Sequence, residues 1–280
     1  TLFRILATLL APHQPENAGH ARIFDHDVQR EPAAVRRMLG VVFQQPSLDA
    51  KLTARENLVH QGRLYGLTGR DLHARIDQWL ERFDLADRAD EYTERFSGGM
   101  RRRVELAKAM LHEPRLLLMD EPATGLDPGA RHELWQQLQR LREQQHITVA
   151  LTTHLMDEAD RCDRLAIISR GRLVALDTPT QLKAAVGGDV VTVELAPSAA
   201  PDAPQRLAER ITERLGPWDE RSRPQVIDGK VRFEKPDGTA LVTQLTHLWP
   251  DNLHRISVGQ PTLEDVFLDL TGAAFRDQER

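Results

Sequence analysis

The spacing of apolar positions changes several times along the 280 residues. Residues 2–10 (LFRILATLL) place leucines at helical intervals around Arg4 and predict an amphipathic helix. A polar stretch follows, then an apolar run over 38–43 that stops at Gln44 and Gln45, as a strand entering a loop does. Residues 52–67 and 71–83 return to helical spacing among charges, with Gly66 and Gly69 between them, so a helical insertion over about 48–112 is expected. After Phe96-Ser97-Gly98-Gly99-Met100, one face collects Val104, Ala107 and Leu111 before Pro114 stops the helix. Four consecutive apolar residues, 116–119, run directly into Asp120-Glu121-Pro122, the pattern of a central parallel strand with a loop at its carboxyl end.

A helix over 132–142 and a strand over 147–152 continue the alternation, which predicts an α/β fold with a doubly wound core. Residues 164–169 and 172–175 flank Arg170-Gly171 as a hairpin. Residues 186–189 (VGGD) break the pattern and suggest a boundary between 1–185 and 190–280. Beyond it, strands over 190–195, 231–233 and 256–258 alternate with helices, which predicts a small α+β domain.

Composition narrows the function. A net charge of −5 and a pI near 6.1 lack the basic excess of a protein that grips phosphate backbones, so nucleic acid is excluded as the main partner. The single cysteine, Cys162, cannot close an internal disulfide and reads as a packing residue. No apolar run approaches the roughly 20 residues that cross a bilayer, so membrane association is expected through a partner.

Transfer of a phosphoryl group to water needs a held metal ion, donors that neutralise developing charge, and a group that orients the water. Asp120 at a strand end can hold Mg²⁺, and Glu121 beside it can polarise water. Ser97-Gly98-Gly99 opens a helix, so its N–H groups form an anion site that two glycines leave accessible. Each feature alone has a plainer explanation: a strand entering a polar turn, a serine N-cap, a histidine (His154) hydrogen-bonded after a strand, a glutamine (Gln44) in a loop. Arg101, Arg102 and Arg103 oppose the dipole of the helix they begin, which favours a nearby anion over a simple cap, with a solvated basic face as the alternative.

Order makes the set specific. Residues 96–128, FSGGMRRRVELAKAMLHEPRLLLMDEPATGLDP, resemble the signature motif, Walker B strand and D-loop of an ABC ATPase in sequence. Gln44 matches the Q-loop glutamine and His154 the switch histidine. The resemblance implies a P-loop NTPase-like core that binds ATP with Mg²⁺, Gln44 and Asp120 serving the metal, Glu121 as catalytic base and His154 at the γ-phosphate. It also implies that Ser97, Gly98, Gly99 and Asp127 face nucleotide across a pair of ATPase subunits, expected as a homodimer.

Met100 and Phe96 replace the more usual glutamine and leucine, and both substitutions resemble the ATPases of ABC-2-type exporters of the daunorubicin-resistance kind, as does PTLEDVF at 261–267. That subgroup implies a separate transmembrane permease, a place on the cytoplasmic face of the membrane, and a role in export. No GxxGxGK[ST] loop occurs in 1–280, and none of the five lysines has that context. Thr1 is expected to lie just after such a loop, so weak ATP binding by this chain alone is expected. The competing readings are a soluble ABC ATPase without a membrane partner and a non-hydrolysing regulatory remnant.

Overall fold

Thr1 leads into α1 (Leu2–Leu6), which closes at Ala7 because Thr8 takes a left-handed φ of 60°, so the predicted helix is shorter than its apolar pattern. In the computed structural model of the chain, residues 1–12, 19–218, 222–248 and 253–271 are described. Short strands β1 (Arg22–Ile23) and β2 (His26–Asp27) pair antiparallel, and α2 (Pro32–Met38) begins with proline at a position needing no N–H donor. Neither was expected in what the sequence presents as a polar loop.

β3 (Leu39–Val42) emerges from α2. Then come α3 (Ala54–Leu64), opened by a reciprocal Thr53–Glu56 capping box, and α4 (Gly69–Arg82). α5 (Gly98–Met110) returns the chain to β4 (Leu116–Asp120), and α6 (Pro128–Gln145) connects it to β5 (Thr148–Thr152). β3, β4 and β5 form a parallel sheet in that order. Parallel neighbours require crossovers, and the helices supply them. Leu72, Ile76 and Trp79 of α4 share one core with Leu106 and Met110 of α5 and with Leu117 and Met119 of β4. The helical insertion therefore packs as part of the body that carries the sheet.

The chain divides into compact units at Thr1–His154 and Leu155–Arg280. The second unit begins with α7 (Met156–Ala159) and the hairpin β6 (Leu165–Ser169) and β7 (Arg172–Asp177). Its turn places Arg170 and Gly171 at φ 49° and 75°, the left-handed pair that a tight hairpin demands. α8 (Pro179–Ala185) leads to β8 (Asp189–Leu195). α9 (Ala203–Arg214), β9 (Gln225–Ile227), β10 (Lys230–Lys235), α10 (Gly238–Leu248), β11 (Leu253–Gly259) and α11 (Leu263–Thr271) follow. The sheet runs β11–β8–β10–β9, all antiparallel.

The break at 186–189 lies inside this second unit, because Leu182 and Val186 share a core with Leu263 and Val266 of α11. The last helix among the described residues, α11, folds back onto α7 and α8, a long-range contact that a local change of pattern does not register. Gly188 is required there: at φ 92° an added Cβ would sit 2.7 Å from the Lys235 carbonyl.

Candidate functional site

Three adjacent strands deliver polar residues to one edge of the parallel sheet. β3 ends just before Gln44, β4 ends in Asp120 and passes to Glu121, and β5 ends in Thr152 two residues before His154. The carboxyl edge of a parallel sheet is where such folds place their ligands.

Glu121 is the hub of this edge. Its Oε2 accepts hydrogen bonds from Gln44 Nε2 at 2.9 Å and Thr124 Oγ1 at 3.1 Å, and His154 Nδ1 lies 3.4 Å from the same oxygen. The backbone of Glu121 is left-handed, with φ 43°, which costs a non-glycine residue on the order of 1 kcal/mol. Two bonds hold it there: the Glu121 N–H donates to the Thr152 carbonyl at 3.1 Å and to Thr152 Oγ1 at 3.0 Å. The Thr152 hydroxyl in turn donates to Asp120 Oδ1 at 2.5 Å. One threonine thus fixes the Asp120 carboxylate and the Glu121 backbone, while the side chains of Glu121 and His154 stay 30% and 35% exposed, open to solvent and ligand.

Ser97 caps α5, its Oγ accepting from the Met100 N–H at 3.2 Å, and Asp127 caps α6, its Oδ1 accepting from the Ala130 N–H at 3.0 Å. Both expected nucleotide contacts therefore also have a structural task. The two helix starts lie side by side: a Cβ on Gly99 would come within 2.9 Å of the Ala130 Cβ, and one on Gly98 within 3.6 Å of Leu126 Cδ2. Glycine is needed at 99 for this approach, while the remaining N–H groups of the first turn of α5 have no partner within the helix.

The three arginines separate into different roles. Arg101 is exposed, but Arg102 is buried and Arg103 donates to the Phe83 carbonyl at 3.3 Å. The expectation that all three signal an anion is corrected: Arg102 finds its counter-charge in Glu105 and its acceptors in the carbonyls of Phe43 and Gln44. Phe96 is a core residue, with the Arg88 guanidinium 5.6 Å over its ring, which accounts for an aromatic side chain at that place. Sequence reasoning missed Thr152 and Glu105, placed Thr124 only within the D-loop run, and read Arg102 as a sign of a nearby anion rather than as the group that holds the Gln44 backbone. Only the position of Thr152 at a strand end parallel to Asp120 carried a readable signal.

A family model described as ABC transporter matches residues 1–124. The daunorubicin resistance ATP-binding protein DrrA3 of Streptomyces coeruleorubidus is 39% identical over 280 residues, covering 100% of this chain and 85% of that protein. With the strand-end carboxylates and the Ser-Gly-Gly helix start, these place the chain in the ABC transporter ATP-binding family. Within it, the relatives are daunorubicin-resistance-like exporter ATPases. The Nod factor export ATP-binding protein I of Paraburkholderia xenovorans is also similar, at 37% identity over 99% of this chain and 85% of its own. Among solved structures, one described as the ATP-binding subunit of an ABC transporter aligns with TM-score 0.56 and 30% identity over 66% of this chain and 76% of its own. The fold is that of the ABC ATPase subunits.

Proposed function

We propose that this chain is the ATP-hydrolysing subunit of an ABC-2-type export system. It acts on the cytoplasmic face of the membrane, paired with a second ATPase subunit and a separate permease. The carrying observation is the convergence of Gln44, Thr124 and His154 on one oxygen of Glu121, beside an Asp120 whose carboxylate accepts from the Thr152 hydroxyl. Among the described residues no helix is long and apolar enough to cross a membrane; in this reading the separate permease supplies the transport path. The names of the relatives, drug-resistance and Nod-factor-export ATP-binding proteins, favour an exported cargo.

Glu121 is the general base: its carboxylate takes a proton from the attacking water, and Gln44 and Thr124 hold it in one orientation. His154 stands within reach of the same water and of a terminal phosphate. The first turn of α5 offers N–H groups to the nucleotide of the opposite subunit, which makes closure of a dimer part of the cycle.

Among the described residues no group of three or more His, Cys, Asp or Glu could enclose a metal. Mg²⁺ needs none, since it keeps several waters and binds through one or two carboxylates plus substrate phosphates. Asp120, with the Gln44 amide at the neighbouring strand end, fits that donor set. Bound there, Mg²⁺ neutralises charge on the phosphates.

Residues 1–280 contain no glycine-rich phosphate loop, and we expect a protein of this sequence alone to bind ATP weakly. In the transporter assembled with its permease, Asp120→Asn should remove ATP hydrolysis and ATP-dependent export together. Export that continues undiminished overturns the proposal.

A further inference from the structure

On α5, the helix that begins with Ser97-Gly98-Gly99, one buried face carries charge. Arg102 and Glu105 are 6% and 3% exposed, three residues apart, with Arg102 Nη1 3.1 Å from Glu105 Oε2. An ion pair this deep gives little net stability, because desolvation offsets most of its attraction. Burial accordingly pushes the Glu105 carboxyl up from its ordinary pKa and the Arg102 guanidinium down. What the pair does locally is hold a loop by its backbone.

Arg102 Nη1 donates to the Phe43 carbonyl at 2.8 Å and Nη2 to the Gln44 carbonyl at 3.3 Å. Glu105 Oε1 accepts from the Ser47 N–H at 2.5 Å and from its hydroxyl at 3.2 Å. Lys108, another three residues along, donates to the Ser47 carbonyl and hydroxyl, both at 2.8 Å. Segment 43–47 is thereby gripped on both sides of Gln44 by a single helix, and the Gln44 side chain projects from it to Glu121.

We infer that Arg102 and Glu105 are positioning residues for the hydrolytic site: they fix the backbone on either side of Gln44 and so set its bond to Glu121. The inference rests on the reading of Glu121 as the water-activating carboxylate. It also makes the Ser-Gly-Gly helix and Gln44 one mechanical element. A movement of α5 that accompanies nucleotide contact at its first turn carries the Gln44 backbone with it.

The test is a double-mutant cycle for ATP hydrolysis in the assembled transporter. Arg102→Met combined with Glu105→Leu removes the hold on the Phe43 and Gln44 carbonyls and on the Ser47 N–H without orphaning either member of the pair, an exchange that similar buried pairs tolerate in stability, and leaves only the Lys108 contacts to Ser47. Expected are a kcat about tenfold lower, an unchanged KM for ATP, and a loss of less than twofold when the same pair of changes is made with Gln44→Ala present. An equal loss in both backgrounds, or an unchanged kcat with Gln44 intact, overturns the inference.

Should Gln44→Ala alone abolish hydrolysis, the Gln44 side-chain amide resonances in ¹⁵N-labelled chain decide the matter. They shift in the paired variant as they do in Glu121→Gln if the inference holds, and stay in place if it fails. Glu121→Gln separates the two levels: hydrolysis surviving that change removes the reading of the site itself, whereas hydrolysis lost there with additive effects in the cycle removes only the positioning role.

Discussion

Both units of the chain bury charged side chains, and they use them for different ends. In Thr1–His154 the Arg102–Glu105 pair spends its remaining hydrogen bonds on a loop whose backbone lies 58 and 59 residues away in sequence. In the unit from Leu155 onward, Asp265 is 3% exposed and pairs with Arg232 of β10, while its Oδ2 accepts from the Thr262 N–H at 2.6 Å and hydroxyl at 2.7 Å. That arrangement caps α11 and fastens it to the antiparallel sheet. The buried charge of the first unit orients a loop that presents a polar side chain to an exposed carboxylate; that of the second joins two elements of its own scaffold.

The contrast can be broken by substitution. The largest effect on folding is expected at Asp265→Ala, which leaves Arg232 without this carboxylate and removes the reciprocal half of the Thr262–Asp265 capping box of α11: roughly 3–5 kcal/mol lost in chemical denaturation. A loss under about 1 kcal/mol would mean that this pair fastens nothing. Gly99→Ala forces the Ala130 contact apart and should cost about 1–3 kcal/mol, exceeding any gain in helix propensity. Melting unchanged by that substitution would show that the two helix starts can separate freely.

Thr152→Val keeps shape and removes the hydroxyl shared by Asp120 and Glu121. About 1 kcal/mol of stability and about tenfold in kcat are expected to go together, because the left-handed backbone of Glu121 loses one of its two restraints. Hydrolysis at the wild-type rate would place the burden on the backbone bond alone.

The smallest effect concerns His112. It stacks on Tyr65 at 3.8 Å, its Nε2 lies 3.2 Å from the Leu39 carbonyl, and burial holds its pKa below the ordinary value of about 6.5. A depressed folded pKa means that the stability of the neutral ring is complete above the unfolded value and is lost as pH falls through the folded one. His112→Phe should flatten the decline of melting temperature between pH 7 and 5, and a decline as steep as the wild type's would exclude this group as its source.

The legibility of the sequence follows the same division. Gln44, Asp120, Glu121 and His154 each follow an apolar run, whose ends parallel strands bring together, but their roles were legible only through the resemblance of the ordered motifs to those of an ABC ATPase. The helices of the insertion and the final strand–helix alternation were readable from period alone. Glu105 and the partners of Arg102 were not, because charged residues on an otherwise amphipathic helix look like a solvated or anion-facing surface until a distant loop is seen to cover them. The fold-back of α11 onto α8 was hidden for a related reason: a turn at 186–189 looks the same whether the chain departs or later returns.

Glu121→Gln in the assembled transporter, with ATP binding and hydrolysis followed separately, bears most directly on whether this edge of the sheet activates water. Hydrolysis reduced by at least about 10²-fold with ATP still bound is the predicted result. Turnover within twofold of the wild type would contradict it.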